Sequence, residues 1–203
     1  MNKPDYIAEK ISKSITIDGN INKEVWKNAK WSKRFVDMVS GEAGMYNTQT
    51  ALLWDNTHLY IAFSVEEPFV EANFTERDSL IFLENALEIF IDGGDCYYEF
   101  QVNALNTVYE VFFIWKDAYA KGSRFDTPQF DVHAIPWSSL ELLANGRTLP
   151  PSQGDIWNIF LGRFQKLMHS GIETTPHPAM VLNSQGIYDT HLPEKWSRIE
   201  FEV

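Results

Sequence analysis

Two neighbouring segments of the chain carry polar side chains at alternate positions, and these residues are best suited to bind a ligand. In Leu87–Asp92 the odd-numbered residues are aliphatic, so alternation along a strand would turn Glu88, Phe90 and Asp92 to the opposite face. In Tyr98–Asn103 the same alternation sets three polar residues apart from the apolar ones: Glu99, Gln101 and Asn103. If the segments pair as a hairpin, an acid and two amides share one sheet face with a ring.

This polar face has the chemistry of a saccharide-binding surface. Carboxylates and amides hydrogen-bond to pairs of sugar hydroxyls, and aromatic rings cover the apolar C–H face of a sugar. The same alternation is also typical of an antiparallel sheet that shows one polar side to water and binds nothing. On the pattern alone this second interpretation is the commoner case. The binding hypothesis requires Glu88, Gln101 and Asn103 to lie together beside a hollow.

The acids do not form an evident catalytic pair in the sequence. Glu88 and Asp92 would lie about 13 Å apart along a strand, beyond the carboxylate spacing of glycosidases. Glu84 and Glu99 are alternative partners for Glu88, although nothing in the sequence requires either. The chain contains no HExxH, GxSxG or phosphate-binding loop. We expect no catalytic residue and no cofactor.

The sequence contains few residues that could form disulfides or bind a metal ion. Cys96 is the single cysteine, which excludes an intrachain disulfide framework and a multi-cysteine zinc site. Asp92 and Asp95 flank Gly93-Gly94 and are the candidate calcium ligands, but acids at such positions are usually turn formers. We therefore expect no bound metal.

The elements that would position these residues are short strands with alternating apolar residues, separated by turn formers such as Asp55-Asn56 and Gly93-Gly94. This spacing predicts an all-β fold, a two-sheet antiparallel β-sandwich with one or two short helices, rather than βαβ units. The predicted strands are Thr48–Trp54, Leu59–Glu66, Leu87–Asp92, Tyr97–Asn103, Val108–Trp115, Phe130–Ile135, Ile156–Phe164 and Ser197–Val203.

The N-terminal part is predicted to contribute little to the sheets. Residues 1–14 are polar and are expected to form an arm that leads into the first strand. A short helix is predicted over Glu24–Ala29, with Asn22 as its cap and Trp26 as its anchor in the core.

The length and net charge of the chain limit the number of domains and the kinds of partner that we expect. The 203 residues show no repeat or linker, so we expect one domain over residues 1–203. With 28 acidic and 17 basic residues the formal charge is −11, which makes nucleic acid and anionic membranes poor partners. No apolar leader or membrane-spanning stretch is visible. As written the chain is expected to be cytoplasmic, unless a leader has been removed.

The order of several segments resembles the family 9 carbohydrate-binding modules, which are often secreted. The matching segments are IDGNINKEVWKNA, ALLWDNTHLYIAFSVEEP, ENALEIFIDGG, YYEFQVNALN, AIPWSSL and HLPEKWSRIEF. They span nearly the whole chain in the family's order. The resemblance implies a two-sheet β-sandwich, which agrees with the strand pattern.

The resemblance also implies where a sugar would lie, because sugar-binding members hold it between two tryptophans with polar residues around it. Phe82 falls on the first tryptophan, the second falls near Thr190 and His191, and Gln101 falls on an arginine. Val132 stands near a position where relatives often carry Glu, and Trp115 and Tyr119 are equally core or cleft-rim candidates. The implied ligand contacts on this chain are Phe82, Glu88, Gln101, Asn103, Arg163, Tyr188 and His191.

Together these observations predict a non-catalytic carbohydrate-binding domain that holds a mono- or oligosaccharide on a polar and aromatic sheet face. One alternative is a protein–protein interaction module or homodimer that uses the same face. A less favoured alternative is a glycoside hydrolase or lyase. That function would need two carboxylates, or an acid and His191, to converge in a cleft about 5–10 Å apart.

Overall fold

A computed structural model describes residues 3–113, 134–138, 140 and 147–203. Trp115, Tyr119 and Val132 lie outside the described residues. Besides the helix α1 (Glu24–Asn28) and the 3₁₀ turns Ile81–Leu83 and Pro193–Lys195, the described chain forms these strands: β1 (Tyr6–Lys10), β2 (Val36–Asp37), β3 (Thr48–Trp54), β4 (His58–Val65), β5 (Ala86–Asp92), β6 (Tyr97–Val102), β7 (Val108–Phe113), β8 (Ala134–Pro136), β9 (Ile156–Phe164), β10 (Met168–His169), β11 (Ile172–Glu173), β12 (Ala179–Val181) and β13 (Ser197–Glu202).

Eleven strands hydrogen-bond into one continuous sheet, in the order β7-β6-β5-β9-β13-β1-β3-β4-β8, with β12 and β2 branching from β9. The sheet curls on itself, so that its two halves enclose a common core. Trp54 from one half and Trp157 from the other both pack edge-to-face against Phe201, with ring centroids 5.8 and 5.2 Å apart. The predicted β-sandwich is therefore confirmed. A small separate sheet joins β10 and β11.

The N-terminal segment differs from the prediction, because it supplies a strand instead of an arm. The strand β1 lies between β13 and β3 and is parallel to both, with Tyr6 beside Ile199 and Glu9 beside Leu53. All other ladders between the described strands are antiparallel. The alternation of this strand is weak in the sequence because only Tyr6 and Ala8 of its five residues are buried.

The predicted helix is confirmed, but its predicted cap is wrong. Lys23 occupies the N-cap position and the helix has no side-chain cap. Asn22 instead uses its backbone N–H to donate to Asn20 Oδ1 at 3.0 Å, within the preceding turn. Trp26 is buried in a cluster that includes Leu53 and Tyr60, as its predicted anchoring role requires.

A second apolar cluster lies on the outer face of β5, β6, β7 and β9. The rings of Phe90, Tyr97, Phe160 and Trp196 contact one another there, with Trp196 contributed by the chain segment before β13. This cluster fixes the segment against the sheet and forms the deep end of the candidate site. Within the described residues, no helix is long and apolar enough to cross a membrane.

Candidate functional site

The pairing of β5 with its neighbours sets the floor of the site. Glu88 lies opposite Gln101 on β6 and opposite Gly162 on β9, and Phe90 lies opposite Glu99. Directly paired residues point to the same face of a sheet, so these side chains share the outer face. A Cβ at residue 162 would lie 2.6 Å from the Phe160 ring, so the lack of a side chain at Gly162 lets that ring pack there.

A cavity of about 660 Å³ opens over this floor. Its floor contains Glu88, Phe90, Glu99 and Gln101, and the 3₁₀ turn Ile81–Leu83 bounds one side. The remaining lining residues are Tyr109, Phe113, Phe164, Glu173, Thr175, Pro176, His177, Tyr188, Asp189, Thr190 and His191. The volume lies within the range of small-molecule sites in proteins.

Two aromatic side chains of the cavity remain partly exposed. Phe82 is 37% exposed and packs edge-to-face against Tyr109, with ring centroids 5.7 Å apart. Tyr188 is 41% exposed, packs edge-to-face on Phe164, and donates its hydroxyl proton to the carbonyl oxygen of His177 at 2.5 Å. The neighbouring contacts hold both rings in place while leaving part of each ring able to contact a ligand.

The floor carries a pair of carboxylates in an unusual electrostatic environment. Glu88 is only 4% exposed and has no hydrogen-bond or ion-pair partner in the described structure. Burial raises the pKa of the Glu88 carboxyl well above its usual range, and the charge of Glu99 raises it further. Glu99 accepts a hydrogen bond from Gln101 Nε2 at 2.6 Å. Glu88 is thus a buried acid that faces the cavity.

His191 lies at the deep end of the cavity as a neutral group. Its Nδ1 is 2.6 Å from the Tyr97 hydroxyl, and its ring lies 5.6 Å from that of Phe90. Burial lowers the pKa of His191 to about 4, against the opposing influence of the Asp189 charge. At neutral pH the imidazole therefore adds no positive charge to the cavity. Burial and the charge of Glu88 raise the pKa of Tyr188 to about 12, so its phenol is neutral as well.

Asn103 does not line the cavity, contrary to the expectation from alternation. Its Nδ2 donates to Glu84 Oε1 at 2.7 Å and to the Phe74 carbonyl at 2.9 Å, while its Oδ1 accepts the backbone N–H of Thr107. Asn103 lies just after β6 ends, where the chain turns and strand alternation no longer applies. Glu84, one of the alternative partners for Glu88, instead accepts this hydrogen bond from Asn103.

Arg163 lies on the opposite face of the sheet from Glu88. It pairs with Leu87 in the register, so its side chain points to the side that Leu87 occupies. Its guanidinium donates to the Glu66 carbonyl at 2.8 Å and to the Glu67 carboxylate at 2.7 Å. Arg163 therefore anchors the segment after β4 instead of contacting the cavity.

Several lining residues were not singled out from the sequence. Glu99 is not among them, because alternation along β6 predicts its position on the outer face beside Phe90. Glu173, His177 and Asp189 come from the stretch after β9, where the sequence has weak periodicity. No local pattern brings those residues over β5 and β6, so only the tertiary structure identifies them.

Asp92 behaves as a turn former. Asp92 Oδ1 accepts the Gly94 backbone N–H at 2.7 Å, and its Oδ2 accepts from Asn158. Across the part of the chain that the structure describes, no group of three or more His, Cys, Asp or Glu side chains is arranged to hold a metal ion.

A family model described as carbohydrate family 9 binding domain-like matches residues 17–123 of the chain. This match covers more than half of the 203 residues and includes β3 to β7. No curated protein sequence matches the chain.

Solved structures show the same fold at low sequence identity. A protein from Bacteroides uniformis ATCC 8492 superposes with a TM-score of 0.70 at 11% identity, over 97% of this chain and 98% of that one. A family 9 carbohydrate-binding module from Caldicellulosiruptor kristjanssonii, in complex with cellotriose, gives 0.64 at 17% identity, over 97% and 93%. Its glucose complex gives 0.63 at 16%, over 97% and 95%.

Proposed function

Because the chain belongs to the carbohydrate family 9 binding domain-like family, we propose that it binds a mono- or oligosaccharide without catalysing a reaction. The cavity over β5 and β6 is the proposed site. The observation that carries this proposal is the combination of two partly exposed rings with a buried acid and amide beneath them. The proposed contacts are Phe82, Glu88, Gln101, Tyr188 and His191.

Each part of the cavity has a role in this proposal. Phe82 and Tyr188 supply apolar ring surface for the C–H face of a sugar. Glu88 and Gln101 lie side by side on paired strands, a spacing that suits two neighbouring hydroxyls. The Gln101 side-chain oxygen is buried without a hydrogen-bond partner in the described structure, so it is available to accept from a hydroxyl. A ligand would therefore satisfy polar groups that are now unpaired.

Relatives supply the first sugars to test. The structures from Caldicellulosiruptor kristjanssonii are complexes with cellotriose and glucose. Glucose and short β-glucans are accordingly the starting members of a ligand panel.

We expect Glu88→Ala to weaken sugar binding about tenfold, because a sugar hydroxyl left buried without its hydrogen-bond partner costs about 1–3 kcal/mol. Isothermal titration calorimetry against glucose, cellotriose, amino sugars and other common monosaccharides measures this. Circular dichroism checks that the variant folds. Glu202→Ala, at the exposed end of β13, is the matched control and should bind as the unaltered chain does.

Absence of binding heat for every sugar in the panel would contradict the proposal.

The presence of two carboxylates, Glu88 and Glu99, in one cavity is the feature that favours the alternative function, glycoside hydrolysis. Both acids lie on the floor of the cavity, whereas the two carboxylates of a glycosidase flank the scissile bond. Cello-oligosaccharides incubated with the protein should release no reducing sugar. Release that Glu88→Gln abolishes would show an enzyme instead.

A further inference from the structure

A second hollow, the side groove, lies beside the cavity and shares part of its wall. Pro176, His177 and Tyr188 line both hollows. The side groove has a volume of about 610 Å³, which is again in the range of a small-molecule site. Its other walls include residues of β2 and of the segment between β2 and β3: Asp37, Val39, Ser40, Glu42, Ala43 and Met45.

Tyr188 stands between the two hollows. Its ring is 41% exposed, and its hydroxyl donates to the carbonyl oxygen of His177, which lines both hollows as well. Besides burial, which has the largest effect, the charges of Glu88 and of Asp37 both raise the pKa of Tyr188. Glu88 belongs to the cavity and Asp37 to the side groove, so this tyrosine forms a ridge with one acid on either side.

Asp37 gives the side groove a fixed hydrogen-bond acceptor. Its Oδ1 accepts the backbone N–H groups of Val39 and Ser40 at 3.1 and 2.8 Å and the Ser40 hydroxyl at 2.9 Å. The hydrogen bonds from Ser40 and Val39 hold the pKa of the Asp37 carboxyl below its usual range. Its second oxygen, Oδ2, accepts no hydrogen bond from the described residues. An ionised carboxylate that is held in place in this way is a strong acceptor for a hydroxyl.

Apolar side chains lie in the same groove. Val39 is 45% exposed and Met45 is 49% exposed, although both are large apolar residues. The side groove therefore combines polar groups with apolar surface, as the cavity does with Glu88 and its two partly exposed rings. Sites for small polar ligands typically have this combination.

We propose that the ligand is an oligosaccharide of two or more units, with one unit in the cavity and the next in the side groove. This inference rests on the proposed function and adds a second binding site to it. Because the two hollows share Pro176, His177 and Tyr188, the units that they hold would be neighbours in one saccharide chain that crosses Tyr188. Asp37 would accept a hydroxyl of the second unit, and Val39 and Met45 would contact its C–H groups.

The test compares glucose, cellobiose and cellotriose by isothermal titration calorimetry. We expect cellotriose to bind at least about tenfold more tightly than glucose, because a second unit adds hydrogen bonds and apolar contacts that a single unit lacks. Methyl NMR reports where that unit lies. The methyl signal of Met45 should shift on addition of cellotriose and stay in place on addition of glucose.

Two variants of the side groove should reduce the advantage of cellotriose and leave glucose affinity within about twofold. Ala43→Leu fills part of the groove with an aliphatic side chain that cannot bond to hydroxyls, and Asp37→Asn removes the carboxylate but keeps an oxygen for the turn. Asn56→Leu, in the exposed β3–β4 turn and outside both hollows, is the matched control and should keep the advantage. Circular dichroism checks that each variant folds.

The outcomes separate the two proposals. Equal affinities for glucose and cellotriose would overturn the inference and leave the proposed function standing. An advantage of cellotriose that survives both groove variants, or a Met45 signal that cellotriose leaves unchanged, would also overturn it, because the second unit would then lie elsewhere. A Met45 signal that glucose shifts as much as cellotriose would show two separate monosaccharide sites instead.

If none of the three sugars binds, the inference fails. The proposed function is then decided by the amino sugars and other monosaccharides of its own panel.

Discussion

Glu88 combines two properties that rarely occur together in a folded protein, since it is a buried acid and it has no partner in the described structure. Burial and the nearby charge of Glu99 both disfavour its ionised form. Groups whose pKa is shifted in this way concentrate at binding and catalytic sites, where function is maintained at some cost in stability. The free energy of unfolding should therefore report on this residue.

We expect Glu88→Gln to stabilise the protein at about pH 8, by about 1–3 kcal/mol. The folded pKa of Glu88 is raised, so the folded state retains a proton that the unfolded state loses above about pH 4.3. The contribution of this acid to stability consequently falls as the pH rises from about 4.3 through the folded pKa. Glutamine does not titrate, so the gain should vanish at about pH 4.

Urea denaturation of both proteins at the two pH values measures this difference. Glu202→Gln serves as the exposed control and should change stability little at either pH. Equal stability of Glu88→Gln and the unaltered chain at about pH 8 would show that the acid is accommodated without cost.

At the scale of elements, the β3–β4 hairpin shows how one turn residue organises its surroundings. Asp55 was predicted to mark this turn, and its Oδ1 accepts the backbone N–H groups of Thr57 and His58 at 2.7 and 2.8 Å. Its Oδ2 accepts the hydroxyls of Tyr60 and Ser14, both at 2.8 Å. Burial alone would raise the pKa of Asp55, but these hydrogen bonds outweigh it and hold the pKa well below its usual range.

We expect Asp55→Asn to destabilise the protein by about 2 kcal/mol at neutral pH, since hydrogen bonds to a carboxylate are stronger than those to an amide. The folded pKa is depressed, so the advantage of Asp55 is present above about pH 4 and declines as the pH falls towards the folded pKa. Chemical denaturation at about pH 7 and pH 3 should therefore show a difference that narrows in acid. An unchanged difference at both values would contradict this assignment.

Most elements of the sheet could be predicted because their alternation is strong. The boundaries of β3 and β9 agree with the prediction, and β5 begins one residue earlier than expected. The cap at Asn22 could not be predicted with the same success. The side chain of Asn20 accepts the Asn22 backbone N–H within the preceding turn, and the helix begins one residue later with Lys23 at its N-cap position. The sequence does not distinguish this arrangement from a cap at Asn22, because both use a short polar side chain next to the helix start.

At the scale of the molecule, the first described strand, β1, pairs with the last, β13. It lies between β13 and β3 and completes the continuous hydrogen-bond path between the two halves of the sheet. The Tyr6 hydroxyl also accepts the Leu52 backbone N–H at 3.0 Å inside the core. The loss of this strand would leave two neighbouring strands with unpaired backbone groups.

Deletion of the first ten residues should lower the melting temperature by more than about 10 °C or abolish cooperative unfolding. Deletion of the first four residues, which stops short of Tyr6, is the control and should have little effect. Thermal denaturation followed by circular dichroism distinguishes the two proteins. Equal melting temperatures would show that β1 is dispensable.

The sequence by itself determined the fold class, the strand pairing around Glu88 and Gln101, and the outward direction of these two side chains. Those features follow from alternation along single strands and from short turns, which are local properties of the chain. The tertiary structure decided that Arg163 faces away, that Asn103 holds a turn, and that Tyr188, Asp189 and His191 cover the acids. Those features depend on the register between distant strands and on the path of irregular segments. A one-residue shift of register reverses a side chain's face, and no local pattern fixes that register between β5 and β9.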